Sequence, residues 1–385
     1  MKIGIVGGGA SGLFLASYLK RKNLNIDITI FDRNKSLGRK ILASGNGKCN
    51  FSNFKAKSSD YNNFEFIDKL YLKTSIEELI NYLSNLGLMF YFDNEGRMYP
   101  LSNSSQTIFD LFSSDLKDTK VNLNYTVKSI SYKNNKYYID NFEFDYIILA
   151  SGSNASIDES KINSTYEYFK NLNLKMIPLK PSLVGYKCKL KDINLLKGYR
   201  CKANVKEYKN NNLIFEENGE VIFKEDGISG IVIMNSSHYY NKGNKIILNL
   251  LYNTDINEFK YKLSTRFNIS NDPNYYLSGI LHPILIRYLI KENIIEINNI
   301  IDFLTHLDIN AIDTYSLKEA QVSKGGISIE EIDDSFKLNK YPHIYATGEV
   351  LDINGLCGGY NLMFAFLSAL TVGKEIEKIY ENKNN

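Results

Sequence analysis

Apolar runs and glycine turns alternate at the start of the chain in the order strand, helix, strand. Residues 3–6 and 26–31 are short apolar runs, which predict two buried strands. Between them, the glycine-rich turn at residues 7–12 opens a stretch with the apolar spacing of a helix. Asp32 ends the second run, 20 residues after Gly12. This order and spacing predict a dinucleotide-binding unit.

Each glycine of this turn has a physical role in such a unit. Gly7 permits the tight turn, Gly9 lets a pyrophosphate approach the backbone, and Gly12 lets the helix pack against the strand. Amides at the helix start would meet the phosphate charge, and Asp32 would bind ribose hydroxyl groups. The candidate ligands in this unit are Gly7, Gly9, Ala10, Ser11, Gly12, Asp32 and Arg33.

The hydrophobic pattern continues beyond this unit with helices and further strands. Residues 64–88 have helical spacing, and residues 121–130 and 136–139 have the pattern of strands. Residues 146–150 predict a buried parallel strand that ends in Ser151-Gly152-Ser153. The candidate cofactor ligands at this strand end are Ala150, Ser151 and Gly152.

The pattern changes in the middle of the chain. Short runs with turn signals fill residues 183–251 and predict an antiparallel barrel or sandwich, whereas residues 255–320 have mostly helical spacing. Pro273 and Pro283 mark helix starts or breaks there. A strand at 344–346, a glycine-rich loop and a long helix follow. We therefore predict an α/β Rossmann-type domain, 1–182 and 331–385, interrupted by an insert at 183–330 with a β-barrel-like part and a helical part.

Charge, cysteine content and the length of apolar runs exclude several classes of function. The formal net charge is +3 over 385 residues with no basic block, so we expect no nucleic acid partner. The four cysteines form no close C-x-x-C pair, and we expect neither a metal site nor a disulfide framework. The apolar run at 362–372 is too short to span a bilayer, and glycines interrupt the first one. We expect a cytoplasmic protein without a membrane partner; the sequence indicates no oligomeric state.

Five motifs resemble those of a bacterial flavoprotein family that includes aminoacetone oxidase and the BaiN-like NAD(P)/FAD-dependent reductases. They are GGGASG at 7–12, GRKILASGNGKCNFSN at 38–53, GEVIFKEDGISGIVIMNSS at 219–237, AQVSKGGIS at 320–328 and GEVLDINGLCGGYNL at 348–362. The resemblance covers nearly the whole chain. It implies a glutathione-reductase-like FAD domain interrupted by an insert domain, with FAD as the cofactor.

The loop at residues 38–53 supplies groups that suit a flavin dinucleotide. Arg39 and Lys40 are cations that follow the first dinucleotide unit and could contact a diphosphate. The alternative is that both are solvated side chains on the surface. Cys49 and Cys357 would form a redox dithiol only if their Cα atoms lay within about 7 Å. A role of Cys49 in lining the flavin without redox chemistry is the favoured interpretation. The residues of this loop expected to line the cofactor are Ser44, Gly45, Gly47, Cys49 and Asn50.

The resemblance assigns the flavin end of the cofactor to residues 348–361. Gly348-Glu349 resembles the turn whose acid binds the ribityl chain, and Asp352 is a second acid or a turn former. A helix that opens at Gly358-Gly359 would direct its N-terminus at the flavin and stabilise negative charge on the reduced ring. The remaining candidates are Tyr360 and Asn361, which start that helix, and Val127, which related folds place in a strand beside adenine.

These features together predict an FAD-dependent oxidoreductase that acts on a small organic substrate at the flavin face. A single dinucleotide fingerprint is present, so NAD(P)H would serve as a transient electron donor. The same resemblance leaves open an amine oxidase that uses oxygen. An FAD-binding tRNA-modifying protein and a redox sensor are alternatives of another class. The candidate catalytic residues are Cys49, Asn50 and Tyr360.

Overall fold

Strands and helices alternate at the start of the chain, in the order β1, α1, β2, α2. The computed structural model describes residues 1–133, 136–156 and 166–384. Its strands are β1 Lys2–Val6, β2 Asp27–Phe31, β3 Ser52–Asn53, β4 Phe90–Phe92, β5 Arg97–Pro100, β6 Lys120–Asn122, β7 Ile130–Lys133, β8 Lys136–Ile139, β9 Phe142–Phe144, β10 Tyr146–Leu149, β11 Met176–Ser182, β12 Tyr186–Cys188, β13 Arg200–Lys209, β14 Asn212–Phe223, β15 Gly227–Ser229, β16 Lys245–Asn249, β17 Leu307–Asp308, β18 Ala311–Thr314, β19 Val322–Ile327, β20 Lys337–Leu338 and β21 Tyr341–Ala346.

The α-helices range from five residues to the long C-terminal helix. They are α1 Ala10–Arg21, α2 Arg39–Ala43, α3 Phe64–Lys73, α4 Ile76–Asn85, α5 Ser105–Ser113, α6 Ile231–Tyr239, α7 Ile256–Ile269, α8 Pro273–Leu277, α9 Pro283–Lys291, α10 Ile297–Thr305 and α11 Tyr360–Asn384. Pro273 and Pro283 each occupy the first turn of a helix, where a missing N–H costs nothing. Within the described residues, none of the helices is long and apolar enough to cross a bilayer.

The chain divides into two units. Unit 1 comprises Met1–Lys180 and Val322–Asn385, and unit 2 comprises Pro181–Gln321. The predicted insert, 183–330, ends later than unit 2 because β19 lies in unit 1, where it pairs with β11. The chain therefore returns to unit 1 before the motif at residues 320–328 is complete.

A six-stranded sheet made from both ends of the chain is the centre of unit 1. Its strand order is β20-β21-β10-β1-β2-β6. Strand β1 pairs in parallel with β2 and β10, with Val6 opposite Phe31 and Leu149, and β21 extends the parallel pairing from β10. Only β20 runs antiparallel in this sheet, among the strands described. This arrangement confirms the predicted Rossmann-type α/β fold.

Aromatic packing between α1, α5 and α11 forms part of the core of unit 1. The ring of Phe14 lies 5.2 Å from that of Phe112 and 5.4 Å from that of Phe366, centroid to centroid. All three side chains are buried, and burial of each contributes on the order of 1.5–3 kcal/mol. The C-terminal helix is thus packed directly against the helix of the first dinucleotide unit.

The predicted strand at residues 121–130 is wrong over most of its length. Strand β6 ends at Asn122, β7 begins at Ile130, and Val127 lies buried in irregular chain between them. The Asp140 carboxylate accepts backbone N–H bonds from Lys128 and Ser129 at 3.0 and 2.8 Å, which hold the backbone in a turn before β7. Val127 therefore has no strand from which to contact a ligand.

Unit 2 contains an antiparallel sheet and a group of helices. The sheet has the order β17-β16-β13-β14-β15-β12-β18. Two predictions are wrong here. The short apolar run at residues 230–234, expected as a strand, leads into α6, because the turn at Gly230 (φ 117°) ends β15 and starts a helix whose first four residues are all apolar. Residues 307–314, expected to be helical, form the two edge strands β17 and β18.

Candidate functional site

Four segments predicted to bind a cofactor lie at one edge of the sheet of unit 1. They follow β1, β2, β10 and β21, which are adjacent and parallel. Backbone hydrogen bonds continue past the strand ends: Gly7 N donates to Phe31 O at 2.8 Å, and Thr347 N donates to Leu149 O at 2.9 Å. The carboxyl edge of a doubly wound parallel sheet is where ligands bind in such folds. The glycine turn, Asp32, Ala150 and Gly348 therefore share one edge.

The glycine turn after β1 is tightly packed on one side and open on the other. Gly7 has φ +109°, and a Cβ there would lie 2.2 Å from Ala150 O. A Cβ on Gly12 would lie 2.0 Å from Gly7 O, so α1 approaches the turn more closely than any side chain allows. A Cβ on Gly9, in contrast, would meet no atom of the described chain within 4 Å. The open side leaves space at the N-terminus of α1, where Ala10 and Ser11 begin the helix.

Asp32 is fixed in orientation at the end of β2. Its side chain is buried, Oδ2 accepts from Gly8 N at 2.8 Å, and Oδ1 accepts from Asn34 N at 2.7 Å. Asn34 Nδ2 also donates to Oδ1, at 2.9 Å, so Oδ1 has two donors and Oδ2 is the oxygen that retains capacity for a hydroxyl donor. Burial lowers the pKa of the neighbouring Arg33 guanidinium, while the Asp32 charge raises it. Tyr125 N donates to Asp32 O at 2.9 Å, which brings the Val127 segment near this end of the site.

The two cations of α2 have protein partners. Arg39 Nη1 donates to Asn34 Oδ1 at 2.6 Å. Lys40 Nζ lies 2.7 Å from Glu349 Oε2 and donates to Ser153 Oγ at 3.2 Å. The sequence predicted cations facing a diphosphate; the structure instead joins Lys40 to the acid of the C-terminal motif.

The turn that follows α2 places Cys49 in the interior. Cys49 has φ +57°, its N–H donates to Ser44 O at 3.1 Å, and its side chain is fully buried. Burial raises the pKa of the Cys49 thiol to about 11, although a hydrogen bond with Ser44 opposes the increase. The thiol is free, so no disulfide joins it to Cys357. Gly45 and Gly47 both have positive φ in this turn.

A glycine turn before α11 brings the two longest motifs together. Gly359 has φ +96°, and a Cβ there would lie 2.4 Å from Ser52 O and 2.6 Å from Asn50 Oδ1. Asn53 Nδ2 also donates to Gly358 O at 3.1 Å. Sequence reasoning missed Asn53, because its partner is 305 residues away. The motif at 38–53 therefore lies directly against the start of α11.

Asn361 stabilises the loop that precedes its own helix. Its Nδ2 donates to Gly355 O and Leu356 O at 3.0 and 3.3 Å, and its Oδ1 accepts from Gly355 N at 2.9 Å. Both amide hydrogens are used within the loop, which differs from the expected contact with the flavin edge. Tyr360, the other residue at this helix start, accepts at its backbone oxygen a 2.9 Å hydrogen bond from Tyr61 Oη.

Asp352 also holds backbone segments together. Its Oδ1 accepts from Gly325 N at 2.8 Å and from Asn62 Nδ2 at 3.2 Å. Burial raises the pKa of Asp352, and the Gly325 N–H bond opposes this increase. Of the two roles expected from the sequence, the contacts of Asp352 are those of a residue that shapes the turn.

Three of the buried polar atoms without protein partners in the described part of the chain belong to segments of the candidate site. Asn50 Oδ1, Ser52 Oγ and Thr347 Oγ1 have no hydrogen-bond partner among the described residues. An unsatisfied buried polar group costs about 1–3 kcal/mol, and the polar edge and hydroxyl chain of a flavin dinucleotide offer partners. With the open side of Gly9 and the N-termini of α1 and α11, these atoms suit FAD. Sequence reasoning missed Ser52 and Thr347 because nothing in the pattern marks a buried hydroxyl as unpaired.

Comparisons with known proteins agree with this fold. The model for the HI0933-like protein Rossmann domain matches residues 1–375. A 3-dehydro-bile acid delta(4,6)-reductase of Clostridium scindens is 28% identical over an alignment of 405 positions, gaps included, that covers 97% of this chain and 98% of the relative. A ribosomal RNA dihydrouridine synthase of Haemophilus influenzae is 24% identical over an alignment of 403 positions, gaps included, that covers 97% of this chain and 98% of that relative. A solved quinol fumarate reductase chain of E. coli superposes with a TM-score of 0.50 at 12% identity, covering 100% of this chain and 71% of that one, and shares the fold.

Proposed function

We propose that this chain, which belongs to the HI0933-like Rossmann-domain family and is an FAD-dependent oxidoreductase, reduces an activated carbon–carbon double bond in a small organic substrate. NAD(P)H is the proposed electron donor. The observation that carries the proposal is the meeting of the 38–53 motif with the start of α11, where Asn50 and Ser52 lie against Gly359. The unsatisfied Oδ1 of Asn50 and the helix N-terminus support the proposal, because such groups stabilise charge on a reduced flavin.

The names of two relatives describe the same kind of reduction. A delta(4,6)-reductase saturates double bonds conjugated to a ketone, and a dihydrouridine synthase saturates the ring double bond of uracil, which is conjugated to a carbonyl. In each case one carbon gains a hydride and its neighbour gains a proton. With NAD(P)H the balance is substrate plus NAD(P)H plus a proton, giving the saturated product and NAD(P)⁺.

Residues of unit 1 would bind and orient the cofactor. The N-terminus of α1 at Gly9 would hold the diphosphate, Asp32 a ribose, and Glu349 the ribityl hydroxyls. Bound FAD would supply two-electron hydride chemistry. The N-terminal amides of α11 would stabilise negative charge on the ring.

Cys49 is the proposed source of the proton among the three catalytic candidates. Burial raises the pKa of this thiol to about 11, so the proton stays on Sγ at neutral pH and the group is a poor nucleophile. A thiol this weak as an acid would give up its proton only to a strong base, such as the carbanion that hydride addition leaves on the substrate. Asn50, next to it, carries an unsatisfied buried oxygen that can orient a polar ring edge. Cys49 and Asn50 lie in one turn, so the proposed proton donor and the proposed ligand of the ring are adjacent in the chain.

Product analysis tests this function directly. Purified protein with FAD and NADPH or NADH should convert a cyclic enone to the saturated ketone, detected by mass spectrometry as a gain of two hydrogens. Deuterium at the transferred position of the nicotinamide should appear in the product only if the flavin passes it on without exchange. Absence of conversion over a panel of enones, with FAD bound, would contradict the proposed reaction.

Reduction of uracil in RNA is a second candidate, favoured by the relative named as a ribosomal RNA dihydrouridine synthase. The chemistry at the double bond is the same, and only the substrate differs. The nearly balanced charge of +3 and the lack of a basic block favour the small substrate. Formation of dihydrouridine in unmodified ribosomal RNA, without conversion of small enones, would select the RNA.

A further inference from the structure

Strand β19 carries the motif at residues 320–328, to which the cofactor assignments give no role. Its backbone binds both acids of the C-terminal motif. Ser323 N donates to Glu349 Oε1 at 3.2 Å, and Gly325 N donates to Asp352 Oδ1 at 2.8 Å. Asp352 N in turn donates to Ile327 O at 2.9 Å. The strand therefore fixes the turn that contains Glu349.

Lys40 binds the other oxygen of the same carboxylate. Its Nζ lies 2.7 Å from Glu349 Oε2 and donates to Ser153 Oγ at 3.2 Å. The Glu349 side chain is 18% exposed and that of Lys40 is 39% exposed. Residues from α2 and β19 thus bind one carboxylate of the turn after β21, and Ser153, which follows β10, binds the lysine.

We propose that Lys40 is a positioning residue for Glu349 and does not bind the diphosphate. An ammonium group has three hydrogens, and two of them are directed at Glu349 and Ser153. Glu349 is thereby held at both oxygens before the cofactor arrives, and each oxygen retains a lone pair for a ribityl hydroxyl. Such preorganisation lowers the entropic cost of binding. The proposal rests on the proposed role of Glu349 in the flavin site.

The alternative, a direct contact between Lys40 and the diphosphate, makes a different prediction for fragments of the cofactor. ADP contains the adenosine and the diphosphate, but neither ribityl chain nor flavin. A diphosphate ligand contributes to binding of both ADP and FAD. A residue that acts through Glu349 contributes to FAD alone.

Calorimetric titration of FAD and of ADP separates the two roles. Lys40→Met and Glu349→Gln should each weaken FAD binding by about tenfold, and the double variant should be no weaker than either single one. ADP affinity should stay at the wild-type value in all three. An equal loss of ADP and FAD affinity in Lys40→Met, additive with Glu349→Gln, would overturn the proposal.

Lys48→Met is the matched control, because Lys48 is an exposed lysine of the same loop. It should leave both affinities unchanged. A partly exposed ion pair contributes little to folding, so unfolding curves of Lys40→Met should match those of wild type. If Lys40→Met does not fold, Lys40→Gln carries the comparison: loss of FAD affinity alone supports the proposal, and an equal loss of ADP affinity or unchanged FAD affinity overturns it.

A failure of the proposed function has a separate signature. Wild-type protein that binds ADP but not FAD would contradict the flavin site itself. If wild-type protein binds FAD and Lys40→Met loses affinity for ADP, only the positioning role of Lys40 is rejected. The oxidoreductase assignment is then unaffected.

Discussion

Asp32 Oδ2 accepts a 2.8 Å hydrogen bond from the backbone N–H of Gly8. The acid at the end of β2 therefore holds the glycine turn that follows β1. This contact is buried, and it leaves one side of Gly9 open. The acid and the turn form a single preformed site, in which the position of one determines the position of the other.

Substitution of Gly9 tests the cofactor site through graded side-chain size. A Cβ at Gly9 meets no atom of the described chain within 4 Å, so Gly9→Ala and Gly9→Val should both fold. The valine should occupy the space of the pyrophosphate and lower FAD affinity by about tenfold or more, with a smaller loss for alanine. FAD content per purified chain and titration of the FAD-free protein measure this. Full flavin occupancy in Gly9→Val would show that the phosphates lie elsewhere.

Asn361→Leu tests whether Asn361 acts on the loop or on the flavin. The change removes the partners of Gly355 N, Gly355 O and Leu356 O, so the unfolding free energy of FAD-free protein should fall by roughly 1–3 kcal/mol. FAD affinity should fall with it because the loop precedes α11. Asn361→Asp keeps an acceptor for Gly355 N, so its unfolding free energy should lie between those of wild type and Asn361→Leu. Unchanged stability together with a shifted flavin potential would instead place Asn361 at the ring edge.

The parts of the fold that the sequence predicted are those with their own periodicity. Strands β1, β2 and β10 and helix α11 each carry a local apolar pattern, and the structure has them where expected. The run at residues 230–234, which begins α6, was predicted as a strand because residues 231–234 are all apolar, and periodicity cannot then distinguish a helix from a buried strand.

The contacts that shape the candidate site lie beyond any local pattern. Lys40 and Glu349 are 309 residues apart, and Asn53 and Gly358 are 305 apart. The sequence identified Lys40 and Glu349 as candidates by type and motif, but their pairing depends on how the sheet gathers its strand ends. Thr347 carried no signal at all, since its unpaired hydroxyl exists only in the folded chain.

The Cys49 thiol should make stability fall with rising pH in alkaline solution. Burial raises its pKa from 9.0 to about 11. The unfolded thiol ionises first, so the unfolded state binds fewer protons between about pH 9 and pH 11, and stability is lost across that window while it is fully present below it. Unfolding free energies from pH 8 to 11 should fall more steeply for wild type than for Cys49→Ala, by roughly 1–3 kcal/mol in total. Parallel curves would show that the thiol ionises in the folded protein as it does in the unfolded chain.

Helix α11 should favour an anionic reduced flavin. Its N-terminal amides follow Gly359 and carry partial positive charge, which stabilises negative charge nearby by about 0.3–1 kcal/mol or more when partly buried. Absorbance spectra of the reduced protein, followed while the pH is lowered, should show the anionic form persisting below the pH at which free reduced FAD takes up its proton. Protonation at the same pH as free reduced FAD would mean that the helix start does not face the ring.

Anaerobic mixing tests the central claim, that electrons pass from NAD(P)H through bound FAD to an activated double bond. Protein with FAD is mixed in separate runs with NADH, NADPH and a panel of small amines, and flavin absorbance is followed; an enone is then added without oxygen. The account predicts bleaching by NADH or NADPH, no bleaching by amines, and recovery of the yellow colour when the enone is added. The opposite result would contradict this claim and identify an amine oxidase: an amine bleaches the flavin, neither NADH nor NADPH does, and the yellow colour returns only when oxygen is admitted.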